Sequence, residues 1–370
     1  MDYKLLSLIF VLSFTTMFSQ VKEKPAATQT KTTTQQTSTE NKTQATAQKP
    51  EEEKSLVKWM TLQEALEKQK TQPKKIFMDV YTDWCGWCKH MMKTTFSNPS
   101  IAGYINQNYY PVRFDGETKD TIEYQGKIYY NTGVGKRSAH QLALKFTNNR
   151  PSYPTIVYFD EYGNVISPVP GYMDTHKIES YLVFFTENVF RTTEFSKFKE
   201  DFDKTFVDSL KQKPEASVHW YTFEEAQKLN QKNPKAFLID AYNTWTIVAK
   251  VMDTTAFSNK KIADYINENF YAIKYDMFTK EPIDFFGKHY TNINKNVGYH
   301  SFGLEVMNKK MVSPSLLIFD PTGVLLSHIP GYFNKETLYP ILYYFAEKKF
   351  KTQKWADFAK EFQETQGKTQ

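Results

Sequence analysis

Apolar residues along this chain recur in short blocks, and the blocks carry two different periods. Over Thr61–Gln69, Leu62, Ala65 and Leu66 share one face at helical spacing. Lys75–Tyr81 then reads as a short apolar strand, followed by a turn, a helix running towards Thr95 and a second helix over Ile101–Asn108. A strand is expected at Tyr110–Phe114. Thr121–Tyr124 and Lys127–Tyr130, split by Gln125-Gly126, read as a hairpin. A helix at about Ser138–Phe146, a strand at Thr155–Phe159, a turn at Asp160–Asn164, a strand at Val165–Pro168 and a closing helix over His176–Phe190 complete the unit. Strands alternating with helices and ending in a hairpin-like pair predict a three-layer α/β sandwich.

The whole pattern then returns. Val57-Lys58-Trp59-Met60-Thr61 is echoed 161 residues later by Val218-His219-Trp220-Tyr221-Thr222. At the same offset, Phe96-Ser97-Asn98 becomes Phe257-Ser258-Asn259, and Ile101-Ala102-Gly103-Tyr104-Ile105-Asn106 becomes Ile262-Ala263-Asp264-Tyr265-Ile266-Asn267. Pro170-Gly171-Tyr172 returns as Pro330-Gly331-Tyr332 at an offset of 160, which puts a one-residue loss near Gly133–Lys136. A two-copy repeat of this length indicates duplicated globular domains rather than a solenoid. The expected boundaries are 56–210 and 217–370.

The residues ahead of the first copy have a different character. Met1–Ser19 has a positive start at Lys4, an apolar stretch over Leu5–Phe18 and a small residue at its end, the pattern of a cleaved secretory signal. Residues 20–55 are rich in Thr, Gln and Lys, with Val21 as the only large aliphatic side chain before Ser55, and they predict a flexible tether. No cysteine sits at the junction to carry a lipid, so a stable membrane anchor is not expected. A periplasmic or secreted protein follows.

Composition narrows the function. Across 370 residues, 40% hydrophobic and 16% aromatic, there is enough apolar surface for real cores. The net charge of +6 comes from dispersed lysines, which argues for a solvated surface rather than nucleic-acid binding. There are two cysteines, too few for a disulfide framework, and they stand three apart as Cys85 and Cys88 within Trp84-Cys85-Gly86-Trp87-Cys88-Lys89.

A Cys-x-x-Cys between a strand and a helix has a direct chemical use. Unpaired amides and partial positive charge at the helix N-terminus stabilise a thiolate on the first cysteine. The second, one turn further on, can attack a mixed disulfide formed by the first. Cys85 is thus the expected nucleophile and Cys88 the resolving thiol. A structural zinc site would need four ligands, and the chain has no second cysteine pair. Covalent haem would need His directly after Cys88, where Lys89 stands. An inert structural disulfide remains the serious rival, although so short a loop does little for stability.

A strand bearing Asp79, the Trp84–Lys89 motif, and Tyr153-Pro154-Thr155 before a later strand together resemble the thioredoxin family. Trp87 replaces that family's usual proline and is similar to a branch of secreted bacterial thioredoxin-like proteins, as are Phe96-Ser97-Asn98 and the hairpin insert. The resemblance covers about Lys54 to Gln370 and implies two tandem thioredoxin-like α/β/α sandwich domains, the second lacking the cysteines.

What the resemblance implies can be carried over residue by residue. Asp79 would be a buried acid with a raised pKa that takes or relays the Cys88 proton. Pro154 would be a cis-proline beside the cysteines, freeing the Tyr153 backbone to pair with an extended client. Gly171 matches the family glycine on the last strand. Trp84 and Trp87 would face the client. His140 has a counterpart in His300, in the copy without cysteines, which favours a structural role for it. In the second copy Thr246 and Ala249 replace Cys85 and Cys88, while Trp245, Asp240 and Pro314 keep their places. That copy cannot exchange thiols, and it either binds clients or braces the first.

Two functions from different classes fit these residues. One is a periplasmic thiol–disulfide oxidoreductase, a reductase or isomerase, acting on thiol or disulfide-containing polypeptide clients. The thiols themselves would carry the electrons, so no further cofactor or metal is expected, and a membrane thiol reductase would be the donor. The other is a secreted chaperone or scaffold with non-essential redox activity. Hydrolases fit poorly, since neither a His-x-x-x-His pair nor a Gly-x-Ser-x-Gly elbow occurs.

Overall fold

A computed structural model of the chain describes residues 55–135, 137–208, 216–292 and 298–366. The expected signal segment and all but the last residue of the expected tether lie outside these residues. In chain order the first domain runs α1 (Leu62–Thr71), β1 (Lys75–Tyr81), α2 (Gly86–Thr94), α3 (Pro99–Asn108), β2 (Tyr109–Asp115), β3 (Ile122–Tyr124), β4 (Lys127–Tyr129), α4 (Gln141–Phe146), β5 (Thr155–Phe159), β6 (Val165–Pro170), α5 (Thr175–Thr186), a short 3-10 turn (Val189–Arg191) and α6 (Phe195–Phe206). The second repeats it: β7 (Trp220–Tyr221), α7 (Phe223–Lys232), β8 (Ala236–Tyr242), α8 (Ile247–Thr254), α9 (Lys260–Asn269), β9 (Phe270–Asp276), β10 (Ile283–Phe285), β11 (Lys288–Tyr290), α10 (Ser301–Val306), β12 (Ser315–Phe319), β13 (Leu325–Pro330), α11 (Lys335–Ala346), a 3-10 turn (Lys349–Lys351) and α12 (Trp355–Gln366).

The first sheet has strand order β2-β1-β5-β6 and the second β13-β12-β8-β9-β7. In both, a central strand pairs in parallel with one neighbour (β1 with β2, β8 with β9) and antiparallel with the other (β5 or β12). All seven residues of β1 are buried, because helices cover both faces of the sheet. On one face Leu62 and Ala65 of α1 pack with Met78, Val80 and Phe146; on the other Phe77, Phe96 and Tyr158 form edge-to-face contacts. This is the three-layer α/β/α arrangement, present twice.

Local signals account for many element ends. Thr61 caps α1 in a box with Glu64, and Thr222 does the same with Glu225 for α7. Gln125 and Gly126 both have positive φ, as the β3–β4 hairpin turn requires. His140 is fully buried and caps α4, its Nδ1 accepting from the Leu142 amide at 3.1 Å; His300 caps α10 in the same way. The retained histidine is therefore structural.

Two expectations need correction. The helix expected over Ser138–Phe146 begins only after the His140 cap, and Ser138 lies outside it, its carbonyl accepting from Asn131 Nδ2 at 2.6 Å. The closing helix expected to run to Phe190 stops at Thr186. Asn188 takes a left-handed conformation with φ of 58°, and the chain restarts in α6, an amphipathic helix that was not anticipated. Phe198 and Phe202 of α6 are buried in a core cluster that also contains second-domain residues Val248, Val251 and Tyr332.

Candidate active site

Strand β1 ends at Tyr81, and the chain turns through Thr82–Trp84 into α2. Cys85 is the N-cap of α2, with its amide donating to the Thr82 carbonyl at 3.1 Å. Cys85 Sγ accepts from the Cys88 amide at 3.1 Å, so the helix N-terminus points its free donors at the first sulfur. The two cysteines form a disulfide and are 5% and 2% exposed. The pair packs with Tyr81 and Tyr153.

Asp79 lies on β1 opposite Arg113 of β2 and Ile156 of β5. It is 1% exposed, and neither carboxylate oxygen has a hydrogen-bond partner in the structure. Burial raises its pKa to about 7, against an opposing pull from Arg113, whose Nε is 3.9 Å from Oδ2. Arg113 in turn stacks its guanidinium over the Tyr81 ring at 3.9 Å. A buried aspartate with a pKa near 7, on the strand that leads into the dithiol turn, can accept and release a proton near neutral pH.

The Tyr153–Pro154 bond is cis, and the Pro154 carbonyl accepts from the Gly171 amide at 2.8 Å. Tyr153 reaches across the start of the insert. A side chain on Gly116 would come within 2.6 Å of the Tyr153 ring, so the missing Cβ makes room for it. Trp84 and Trp87 are 49% and 61% exposed and stand on opposite sides of Cys85 in the sequence. Trp84 Nε1 donates to Glu117 Oε2 at 3.0 Å, the Arg137 guanidinium lies 4.7 Å from its ring, and Tyr153 meets it edge-on at 6.1 Å. Trp87 joins a second aromatic group with Tyr172 at 5.2 Å and His90 at 5.8 Å.

The expected site residues thus sit on three neighbouring segments: the end of β1, the start of α2 and the turn before β5. Arg113, Glu117, Arg137, His90 and Tyr172 were not anticipated. Comparing the copies would have signalled Glu117 and His90, which correspond to Phe278 and Val251 and so differ where the fold is kept. Among the described residues, no group of three His, Cys, Asp or Glu side chains is arranged to hold a metal ion. Nor is any described helix long and apolar enough to cross a membrane.

The comparisons with known proteins bear on the same residues. A family model described as a thioredoxin-like domain matches residues 62–186. A second, described as a protein of unknown function, DUF255, matches residues 202–310. The thiol:disulfide interchange protein DsbD of Haemophilus influenzae (strain PittEE) is 30% identical over 148 residues, 38% of this chain and 22% of that protein. The protein of the same name from Photorhabdus laumondii is 29% identical over 111 residues, 30% of this chain and 16% of that protein. The chain therefore spans only a minor part of the length of these relatives. Among solved structures, a thioredoxin-fold protein from Helicobacter pylori is 16% identical, with a TM-score of 0.29, covering 45% of this chain and 93% of that one. A putative disulphide-isomerase from Bacteroides thetaiotaomicron is 22% identical, with a TM-score of 0.27, covering 35% and 92%. Residues 62–186 thus match a thioredoxin-like domain, and a second α/β domain of the same plan follows them.

Proposed function

We propose that this protein is a thiol–disulfide oxidoreductase that reduces or isomerises disulfides in polypeptide clients outside the cytoplasm. The carrying observation is the Cys85–Cys88 disulfide at the N-terminus of α2, with a neutral-range aspartate buried on the adjoining strand. In the reduced protein, the Cys85 thiolate attacks one sulfur of a client disulfide, and the other client sulfur leaves as a thiolate that takes a proton from solvent. Cys88 then gives its proton to Asp79 and attacks Cys85 Sγ. The mixed disulfide breaks, the second client sulfur leaves with both bond electrons and is protonated, and Asp79 returns its proton to solvent. Two electrons pass to the client, and the Cys85–Cys88 disulfide is left behind.

The client would lie as an extended strand along Tyr153-Pro154, between the aromatic groups around Trp84 and Trp87. Similarity to interchange proteins supports a membrane thiol reductase as the source of electrons. The Cys88→Ser variant tests the reading, because it cannot release the mixed disulfide. Expressed in cells, it should accumulate client adducts through Cys85, and adducts that are absent, or that persist in Cys85→Ser, would sink the proposal. A second assay is insulin reduction with dithiothreitol. Equal rates for the wild type and Cys85→Ser would instead favour a chaperone or scaffold.

A further inference from the structure

The same face is exposed in one domain and covered in the other. In the first domain, the face around the start of α2 carries Gly86, Trp87, His90 and, from the loop after β6, Tyr172. Trp87 and His90 are exposed and Tyr172 is partly so. Their counterparts in the second domain are Ile247, Val248, Val251 and Tyr332. Val248, Val251 and Tyr332 are each 0% exposed.

The covering group is the end of the first domain. Glu187, just beyond α5, accepts from the Ile247 amide at 3.1 Å and the Val248 amide at 3.0 Å, the first two donors of α8. Thr246, at the old Cys85 position, makes no side-chain cap of its own to the helix. A carboxyl group from another domain thus takes the first two amides of a helix end whose counterpart in the first domain turns its third amide to a cysteine sulfur. Around it, Thr192 Oγ1 donates to the Tyr332 carbonyl at 2.6 Å, Tyr332 Oη donates to Asp201 Oδ2 at 2.7 Å, and Phe198 meets the Tyr332 ring edge-on at 5.5 Å. At the far end of the contact, Thr205 and Thr254 share a hydroxyl hydrogen bond at 2.6 Å.

We propose that the former exchange face of the second domain is an interaction surface whose partner is this chain's own 187–205 segment. The second domain is then a fixed brace for the redox domain and takes no client on that face. The consequence is specific: the face is closed by packing, and the missing cysteines are a separate loss. Returning the cysteines alone does not return exchange.

The test places a dithiol at the closed face of the full chain, as Thr246→Cys with Ala249→Cys in a Cys85→Ser, Cys88→Ser background. Insulin reduction by this variant is expected to fall at least ~100-fold below that of the native pair, because the thiols are reached only through local opening. Adding Glu187→Ala and Phe198→Ala should raise the rate of thiol labelling by an uncharged reagent. Insulin reduction within tenfold of the native pair, without those additions, overturns the proposal. A measurement on the unaltered protein guards against misfolding of the variants. By hydrogen exchange, the Ile247 and Val248 amides should be protected at least ~10-fold more than those of Gly86 and Trp87, the equivalent positions with no covering domain. Equal exchange at the two helix starts overturns the proposal as well. If the wild type itself fails to reduce insulin, the proposed function fails, and the exchange experiment still decides this inference.

Discussion

The two strand–helix turns of this molecule share a backbone plan and differ in several of the side chains around the helix start. Around α2, Gly116 leaves room for Tyr153, Glu117 holds the Trp84 indole, and Arg113 stacks on Tyr81. Around α8, Met277 stands for Gly116, Ser313 for Tyr153 and Phe278 for Glu117. Trp245 there simply packs on Phe278 at 4.6 Å. The cis bond before proline is kept in both, at Tyr153–Pro154 and Ser313–Pro314. So is the buried acid: Asp240, like Asp79, is raised to about 7 by burial, with Lys274 opposing. Features built into the sheet are therefore kept in the copy without cysteines, whereas several side chains around the helix start are not. A buried acid or a cis-proline alone therefore does not identify an exchange site, since both occur in the copy without cysteines.

The largest effect expected from this comparison concerns the sulfurs. Cys85→Ser should lower insulin reduction by at least ~10³-fold, since the nucleophile is lost, whereas Thr246→Ser should leave the rate unchanged. A decrease from both would mean that the copies act together. The next effect divides the two aspartates. Asp79→Asn should slow resolution of the mixed disulfide by about 10²-fold, the size of a general-base contribution. The wild-type rate should rise as pH passes about 7, where Asp79 loses its proton and becomes able to accept one, and Asp79→Asn should lack that inflection. Asp240→Asn should keep both the rate and the inflection. Its neighbour Lys274 also pairs with Asp253, so no lone buried cation remains.

A smaller effect tests the hold on Trp84. Glu117→Ala removes the acceptor for the indole N–H and should raise the KM for a peptide client about 2–10-fold, with little change in kcat, as befits one hydrogen bond that positions a binding surface. A fall in kcat at constant KM would assign Glu117 to the chemistry instead. Phe278→Ala, its counterpart, should change neither constant.

Much of this was legible in the sequence because the signals were local. Thr61 with Glu64, Gln125-Gly126 and the apolar run of β1 state their structures within a few residues. The thiol motif states its chemistry in six. The missed parts depend on residues far apart in the chain. The break after Thr186 relies on Asn188 adopting a left-handed backbone, which many sequences could do and few require. Glu117 and Arg137 reach Trp84 from 33 and 53 positions away. Similarly, α6 has its apolar face, with Phe198 and Phe202, turned to a neighbouring domain, so its place could not be read from its period alone.

The smallest expected effect lies at the contact that makes the copies unequal in exposure. Burial raises the Glu187 pKa to about 7, while the Val248 and Ile247 amides pull it down. A carboxyl group whose folded pKa lies above its unfolded value binds more protons in the folded state between those two pH values. Its contribution to stability is therefore complete below about 4.5 and declines as pH rises through about 7. Asp79 and Asp240 slope the same way, so the whole chain should lose stability over this range. Glu187→Gln keeps one acceptor oxygen for the α8 amides and cannot ionise. Its Tm should thus fall less than the wild type's between pH 5 and pH 8, by about 2–4 °C if the titration is worth ~1 kcal/mol. A wild-type Tm that rises across this interval while the variant's stays level would mean that the ionised carboxylate is the form the helix start prefers. The pairing of helix charge with carboxylate would then outweigh burial, and the cap would be firmest at alkaline pH.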